Sequence, residues 1–322
     1  MAEHKVYAGI DIGGTNIKFG LVDDQGKVLY KEQRPTVAEK GADALLHLVA
    51  NIGERLLLHA AEEEHDVRWL GVGTPGTVDF KTGQVVGLSP NIPGWQGTPL
   101  GEFLRERLNL PVWVDNDVNC VALAEHRFGA GIGYDSIVCV AVGTGVGGGV
   151  IINGRLWRGA TFAAGEFGHM AISLNGPVCG CGQTGCIEAY CASPAIIERA
   201  RKKLEGGLTP VFEDVTNGDE EGLTIKKIFA AARKKDKIAI EVVEETARYL
   251  ATGLAGVVNL LNPSLVVIGG GVADGGAGFV ETVAAEVKKR AFESATAGLR
   301  VVKATLGNQA GFIGAGILGE EK

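Results

Sequence analysis

Apolar and polar positions fall into two kinds of segment along this chain. Short runs rich in valine and isoleucine, such as "VYAGIDI" and "SLVVIGGGV", end in glycine turns and predict buried strands. Stretches with apolar positions three and four apart predict helices, one from about Gly41 to His65 and a longer one from about Ile238 to Leu261, stopped by Asn262-Pro263. "DVRWLGVGTPGTVDF" and "LPVWVDND" read as further strands, and an amphipathic helix begins near Asp117. Ser193-Pro194 predicts a helix start, with Ser193 as the cap and proline at the first helical position. "GLTPVFEDVTNGDEEG" reads as a polar connection, and the tail "NQAGFIGAGILGEE" as a closely packing helix of small residues.

Two segments share one plan. "VYAGIDIGGTNIKFGLVDDQGKVL" runs strand, turn at Gly13-Gly14, strand, then a turn at Asp24-Gln25-Gly26. "SIVCVAVGTGVGGGVIINGRLW" runs strand to Val142, turn at Gly143-Thr144-Gly145, strand, then a turn at Asn153-Gly154, and Asn-Gly between β-branched residues is a hairpin signal. Two copies of a strand–glycine turn–strand unit predict a duplicated α/β fold with a cleft between its halves. The alternative is chance likeness between two buried hairpins.

Composition narrows the classes. With 322 residues, 46% of them hydrophobic, the chain is long enough for two ordinary domains or one large α/β domain. A net charge of −7 argues against nucleic acid or an anionic membrane as the main partner. The opening residues lack the apolar core of a signal peptide, and the most apolar run, "SIVCVAVGTGVGGGVII", is interrupted by glycines, as a buried strand and turn would be. Six cysteines in a chain of this length do not form a secreted disulfide framework, so reduced thiols and a cytoplasmic location are expected.

Three of those cysteines lie together in "GEFGHMAISLNGPVCGCGQTGCIEAY". His169, Cys179, Cys181 and Cys186 supply the imidazole and thiolates of a tetrahedral zinc site, and the intervening glycines let a short loop fold back on the ion. Four protein ligands leave no open position, so this zinc is expected to be structural; buried thiols with a core histidine are the alternative. Cys120, Cys139 and Cys191 show no ligand spacing. Glu166 and Glu188 flank the cluster, and paired carboxylates beside an imidazole N–H suit a polyol such as a sugar, while solvated surface charges would look the same in sequence. In "DIGGT", Asp11 stands where a strand meets Gly13, Gly14 and Thr15, a turn able to approach phosphate oxygens, with Asp11 placed to hold Mg²⁺ through water. "VGTGVGGG" repeats the turn at Gly143, Thr144 and Gly145. Neither is a Walker loop or a dinucleotide fingerprint, since no Gly-Lys-Ser/Thr follows and a second strand comes next. Asp115, Asn116, Asp117 and Asn119 cluster at a strand-to-helix junction, where spacing does not choose between a helix cap and a ligand-binding carboxylate, nor between Asp115 and Asp117.

Taken together, "DIGGT", "VDNDVN", "VGTGVGGG", "GEFGH" and "CGCGQTGCIE" resemble the ROK family of repressors, open reading frames and sugar kinases, along the length of the chain. "GVGTPGTVD" and "NIPGW" also look like family segments near the sugar. The resemblance implies an actin-like, hexokinase-like (ribonuclease H-like) fold of two α/β domains around a cleft. A small N-terminal domain would span residues 1–118, joined by the C-terminal helix at about 307–322, and a larger one with the zinc loop would span 119–306. It implies phosphoryl transfer from Mg-ATP to a hexose, with glucose and its 6-hydroxyl first, another hexose such as fructose, mannose or an N-acylated hexosamine second, and a homodimer. On this sequence Asp117 would be the catalytic base, and Asn91, Asn116, Asp117, Glu166, His169 and Glu188 would contact the sugar. The two glycine turns would hold the phosphates, and Gly269 and Gly270 of "VVIGGGV" would lie near the adenosine. A sugar-responsive regulator of the repressor branch would carry a DNA-binding helix-turn-helix before the "DIGGT"-like motif, and only ten residues precede Asp11. A zinc-dependent hydrolase is disfavoured by the filled metal positions.

Overall fold

The computed structural model describes residues 5–87, 89, 92–219, 221–276 and 278–321. The predicted hairpins are both present: β1 (Val6–Ile12) with β2 (Asn16–Asp23), and β8 (Ile137–Val142) with β9 (Val146–Ile152). Each opens a five-stranded sheet of the same order. In the first, β3 (Val28–Pro35) lies outside β2, while β4 (Val67–Thr74) and β7 (Val112–Asn116) follow β1, giving β3-β2-β1-β4-β7. In the second the order is β10-β9-β8-β11-β12, with β10 (Arg155–Leu156), β11 (Leu265–Gly269) and β12 (Arg300–Lys303). β1, β4 and β7 are parallel, as are β11 and β12, whereas β1–β2–β3 and β9–β10 are antiparallel. One topology in two copies answers the question that the sequence left between duplication and chance. β5 (Val78–Asp79) and β6 (Gln84–Val85) form a separate small ladder.

By contacts the chain forms two compact units. The first holds residues 1–139, 149–165 and 305–322, and so contains the 1–118 and 307–322 stretches expected of a small domain together with further segments. Its core joins the inner faces of β1, β2 and β4 to α1 (Ala42–Glu62) and α2 (Leu100–Leu108), with Ile10, Phe19, Leu45, Leu56, Val72 and Trp95 fully buried. On another face, α3 (Asp117–Phe128) packs with the predicted small-residue helix, α11 (Ala310–Gly316), around Cys120, Leu123, Phe312 and Ile313. Small residues are required there because the backbones touch: a Cβ at Gly314 would overlap the Cys120 carbonyl, and one at Gly71 the Ala315 carbonyl. This close packing places α3 in the first unit.

The second unit holds residues 140–148 and 166–304. After α4 (Glu188–Cys191) and α5 (Ser193–Lys203) come α6 (Pro210–Thr216), α7 (Ile225–Arg233) and the long α8 (Lys237–Leu261), then α9 (Phe279–Arg290) and α10 (Glu293–Thr296). Asn262 closes α8 in the left-handed region at φ 45° before Pro263. Two expectations are corrected here. Residues 207–222 are not merely a connection, since Thr209 accepts from the Phe212 N–H at 3.2 Å and Pro210 opens α6, whose Phe212 is buried. Ser193 is also not the cap of α5; Ala192 takes that place, and the Ser193 N–H donates to the Gly143 carbonyl at 2.7 Å. No helix among the described residues is long and apolar enough to cross a membrane.

Candidate active site

In the first unit, β1 delivers Asp11 to its C-terminal end, and the chain reverses at Gly13 to Thr15 before β2. The Gly13 N–H bonds the Asn16 carbonyl at 3.1 Å, closing the turn. Thr36 then fastens it from behind: its hydroxyl donates to the Gly13 carbonyl at 2.7 Å and its N–H to the Thr15 carbonyl at 2.9 Å. With these carbonyls engaged by Thr36, Gly14 and Thr15 remain exposed at the tip. Sequence reasoning missed Thr36, which has no motif of its own. Asp11 lies against the first turn of α11, where a Cβ at Gly311 would overlap its carboxylate. Burial pushes the Asp11 carboxyl up from 3.8 to about 7, the charge of Asp117 pushes in the same direction, and Lys18 opposes them. A carboxylate held near neutrality by burial and a neighbouring carboxylate is a mark of a functional site.

At the end of β7 the structure separates the two aspartates that spacing left equal. Asp115 is 2% exposed and forms an ion pair with Arg158, from Arg158 Nε to Asp115 Oδ2 at 2.7 Å. Its other oxygen accepts from the Asn116 N–H at 2.7 Å and from Asn119 Nδ2 at 2.9 Å. Asn116 is the helix cap: its side-chain oxygen accepts from Val118 at 2.9 Å and Asn119 at 3.2 Å, and its Nδ2 donates to the Gly76 carbonyl at 3.2 Å. Asp117 stands half-buried as the first residue of α3, with Oδ1 2.9 Å from the Val118 nitrogen. Helix capping and ion pairing thus fall to Asn116 and Asp115. Asn91 lies outside the described residues; its neighbour Trp95 is fully buried and donates from Nε1 to Thr74 Oγ1 at 2.8 Å.

The second unit carries the other candidates. The turn at Gly143 to Gly145 is closed by a Gly143 N–H bond to the Gly145 carbonyl at 2.9 Å. Glu188, at the start of α4, accepts from the Val146 N–H at 2.9 Å, tying this turn to the cysteine loop. Gly270, at φ 87°, lies against the backbone of Val142, so the structure brings Gly269 and Gly270 beside the same turn. The donor atoms of His169, Cys179, Cys181 and Cys186 all lie within 4.8 Å of one another. His169 Nδ1 is 3.6 Å from Cys179 Sγ, and Cys181 Sγ is 3.8 Å from Cys186 Sγ. Two sulfurs each about 2.3 Å from a tetrahedral zinc stand roughly 3.8 Å apart, so the donor set fits that ion. Burial pushes the Cys179 thiol up to about 12, so a cation is what would hold it as thiolate at neutral pH. His169 Nε2 points the other way, 4.0 Å from Glu166 Oε2, and Glu166 is about half exposed. The Cys179 thiol also lies 3.6 Å from Glu188 Oε1.

The ROK family model matches residues 7–322. The chain belongs to the ROK family. Its duplicated α/β fold is accordingly the actin-like, hexokinase-like one. Among ROK relatives, a glucokinase of Thermotoga maritima is 34% identical over 317 residues, covering 98% of this chain and 97% of its own. A xylose repressor of Caldicellulosiruptor bescii is 30% identical, covering 95% of this chain and 76% of its own length. Among solved structures, a ROK glucokinase of Streptomyces griseus in complex with glucose and AMPPNP matches with a TM-score of 0.81 and 36% identity, covering 97% of this chain and 98% of that one.

Proposed function

We propose that this ROK protein is an ATP-dependent glucokinase, transferring the γ-phosphoryl group of Mg-ATP to the 6-hydroxyl of glucose to give glucose 6-phosphate and ADP. The observation that carries the proposal is the near full-length likeness to ROK glucokinases, one of them holding glucose with an ATP analogue. The site chemistry supports it. Asp117 is assigned as the base: it takes the hydroxyl proton as the new O–P bond forms and the bond from the γ-phosphorus to the ADP oxygen breaks. Asn91 and Asn116, with Glu166, His169 Nε2 and Glu188, are assigned to sugar hydroxyls, Glu188 while also holding the Val146 N–H. Positioning of this kind supplies much of the catalysis in phosphoryl transfer.

The turns at Gly13–Thr15 and Gly143–Gly145 are assigned to the phosphates, and Gly269 and Gly270 to the neighbourhood of the adenosine. Asp11 would hold Mg²⁺ through water, an ion that neutralises charge on the phosphates. His169 Nδ1, Cys179, Cys181 and Cys186 would hold a structural Zn²⁺, whose contribution is to fix the loop carrying Glu166 and Glu188. A homodimer in the cytoplasm completes the proposal, from the family resemblance and the reduced cysteines.

A sugar-responsive regulator is the second reading, favoured by the repressor among the relatives. ADP release with Mg-ATP against a panel of hexoses separates the two. Glucose-dependent turnover is expected; turnover with mannose, fructose or an N-acylated hexosamine instead would keep the chemistry and change the sugar, and silence from folded, zinc-loaded protein would leave the regulator.

A further inference from the structure

We infer that Arg158 is a positioning residue for Asp117, acting through Asp115; the inference rests on the assignment of Asp117 as base. Arg158 follows β10 and is only 12% exposed, and its charge meets that of Asp115 across 2.7 Å in a setting nearly closed to water. Its guanidinium carbon lies 3.7 Å above the centre of the Phe80 ring, which stacks in turn on Trp113 of β7 at 5.6 Å. The cation is therefore held between an aromatic face and a carboxylate, an arrangement that suits arginine and not lysine. Nη2 of Arg158 has no hydrogen-bond partner among the described residues, so Asp115 is the anchor of this side chain.

Asp115 passes the constraint on. One oxygen is held by Arg158, and the other receives the Asn116 N–H and the Asn119 amide. Asn116 in turn caps the helix through Val118 and Asn119, on either side of which Asp117 and the next turn are set. Removing the guanidinium would leave a buried carboxylate without its counter-charge, and the low-dielectric setting makes that state strongly unfavourable. Asp115 would then move toward water, carrying the Asn116 and Asn119 contacts with it. A displacement of about 1 Å at a catalytic group is enough to lower turnover on the order of a hundredfold.

The test compares Arg158→Met, Arg158→Lys and Asp115→Asn with the unaltered protein. Four quantities are read: kcat and KM for glucose, the thermal midpoint, and amide hydrogen exchange without substrate over residues 113–119 and, as a control, over β2. Arg158→Met is expected to lower kcat about a hundredfold with a smaller change in KM, and to speed exchange over 113–119 while β2 keeps its protection. Arg158→Lys should recover part of both effects, because charge is kept and the planar fork is lost. If Arg158→Met does not fold, Asp115→Asn, which keeps the shape of the side chain, is expected to show the same pairing of lowered kcat and local exchange. Wild-type kcat in folded Arg158→Met or folded Asp115→Asn, or exchange rising equally in both segments, would overturn the inference. The exchange measurement needs no turnover, so it stands apart from the kinase assignment: an active Asp117→Ala protein would refute the base, and unchanged local exchange in the Arg158 variants would refute the positioning.

Discussion

Replacing Asp11 by asparagine should make the protein more stable at neutral pH and leave it nearly unchanged in acid. The folded chain holds this carboxyl at about 7 against an ordinary 3.8, by burial first and by the charge of Asp117 second. Because the folded value is the higher one, the native state binds the proton more tightly than the unfolded state does. Between roughly pH 4 and pH 7 the native protein therefore carries more protons, and stability falls as pH rises through that window. Asp11 is half-buried, so the interval from 3.8 to about 7 sets a penalty of at most about 4 kcal/mol, fully present above pH 7. Asparagine has no such titration. The difference in unfolding free energy between Asp11→Asn and the unaltered protein should grow by at most about 1.4 kcal/mol per pH unit from pH 4 to 7, then level off. Urea titrations of both proteins at each pH unit from 4 to 8 measure it, and groups common to the two cancel. The slope is the test, since any constant offset reports the amide's own hydrogen bonds. A difference that does not vary with pH would refute the electrostatic account of Asp11. Mg-ATP should narrow the gap at pH 8, because a cation near Asp11 favours its charged form.

Other substitutions probe the remaining parts. Asp117→Ala should lower turnover roughly a hundredfold or more while leaving glucose binding largely intact, so near-normal kcat would remove it as the base. Cys181→Ser should release zinc, measured as metal per chain, and raise KM for glucose more than it lowers kcat; full activity in metal-free protein would show that the loop needs no ion. Thr209→Ala deletes the cap of α6 and the hydroxyl's 2.6 Å bond to the buried Asp236 carboxylate, and should destabilise the protein by about 1–3 kcal/mol in urea titration, with no effect on KM.

Much of this fold was legible because its signals are local. Strand, glycine turn and strand lie within two dozen residues, so both hairpins and the repeat could be read directly, and the asparagine and proline ending α8 are adjacent to it. α6 was hidden because its cap and proline sit among residues that also favour loops, and Phe212, which buries the helix, is its one large apolar anchor. The site was readable in its motifs but not in its wiring. Asp115 and Asp117 look alike in sequence, and what separates them is an arginine 43 residues away. Thr36, which holds the first glycine turn, is 23 residues from Gly13 and belongs to no pattern. Contacts of such separation are set by tertiary packing, which no window of sequence contains.

The packing of α11 bears on how the chain is made. β1 and β4 form among the first 74 residues, yet the helix that packs against Gly9 and Gly71 begins at Ala310. During synthesis at about 5–20 residues per second, that strip of sheet waits on the order of ten seconds or more for its cover. The second unit's residues emerge inside that interval, so it is free to fold while the first remains unfinished. A nascent chain stalled before residue 305 would present an apolar sheet face built from Tyr7, Val22 and their neighbours, the kind of surface that chaperones bind and that aggregation exploits.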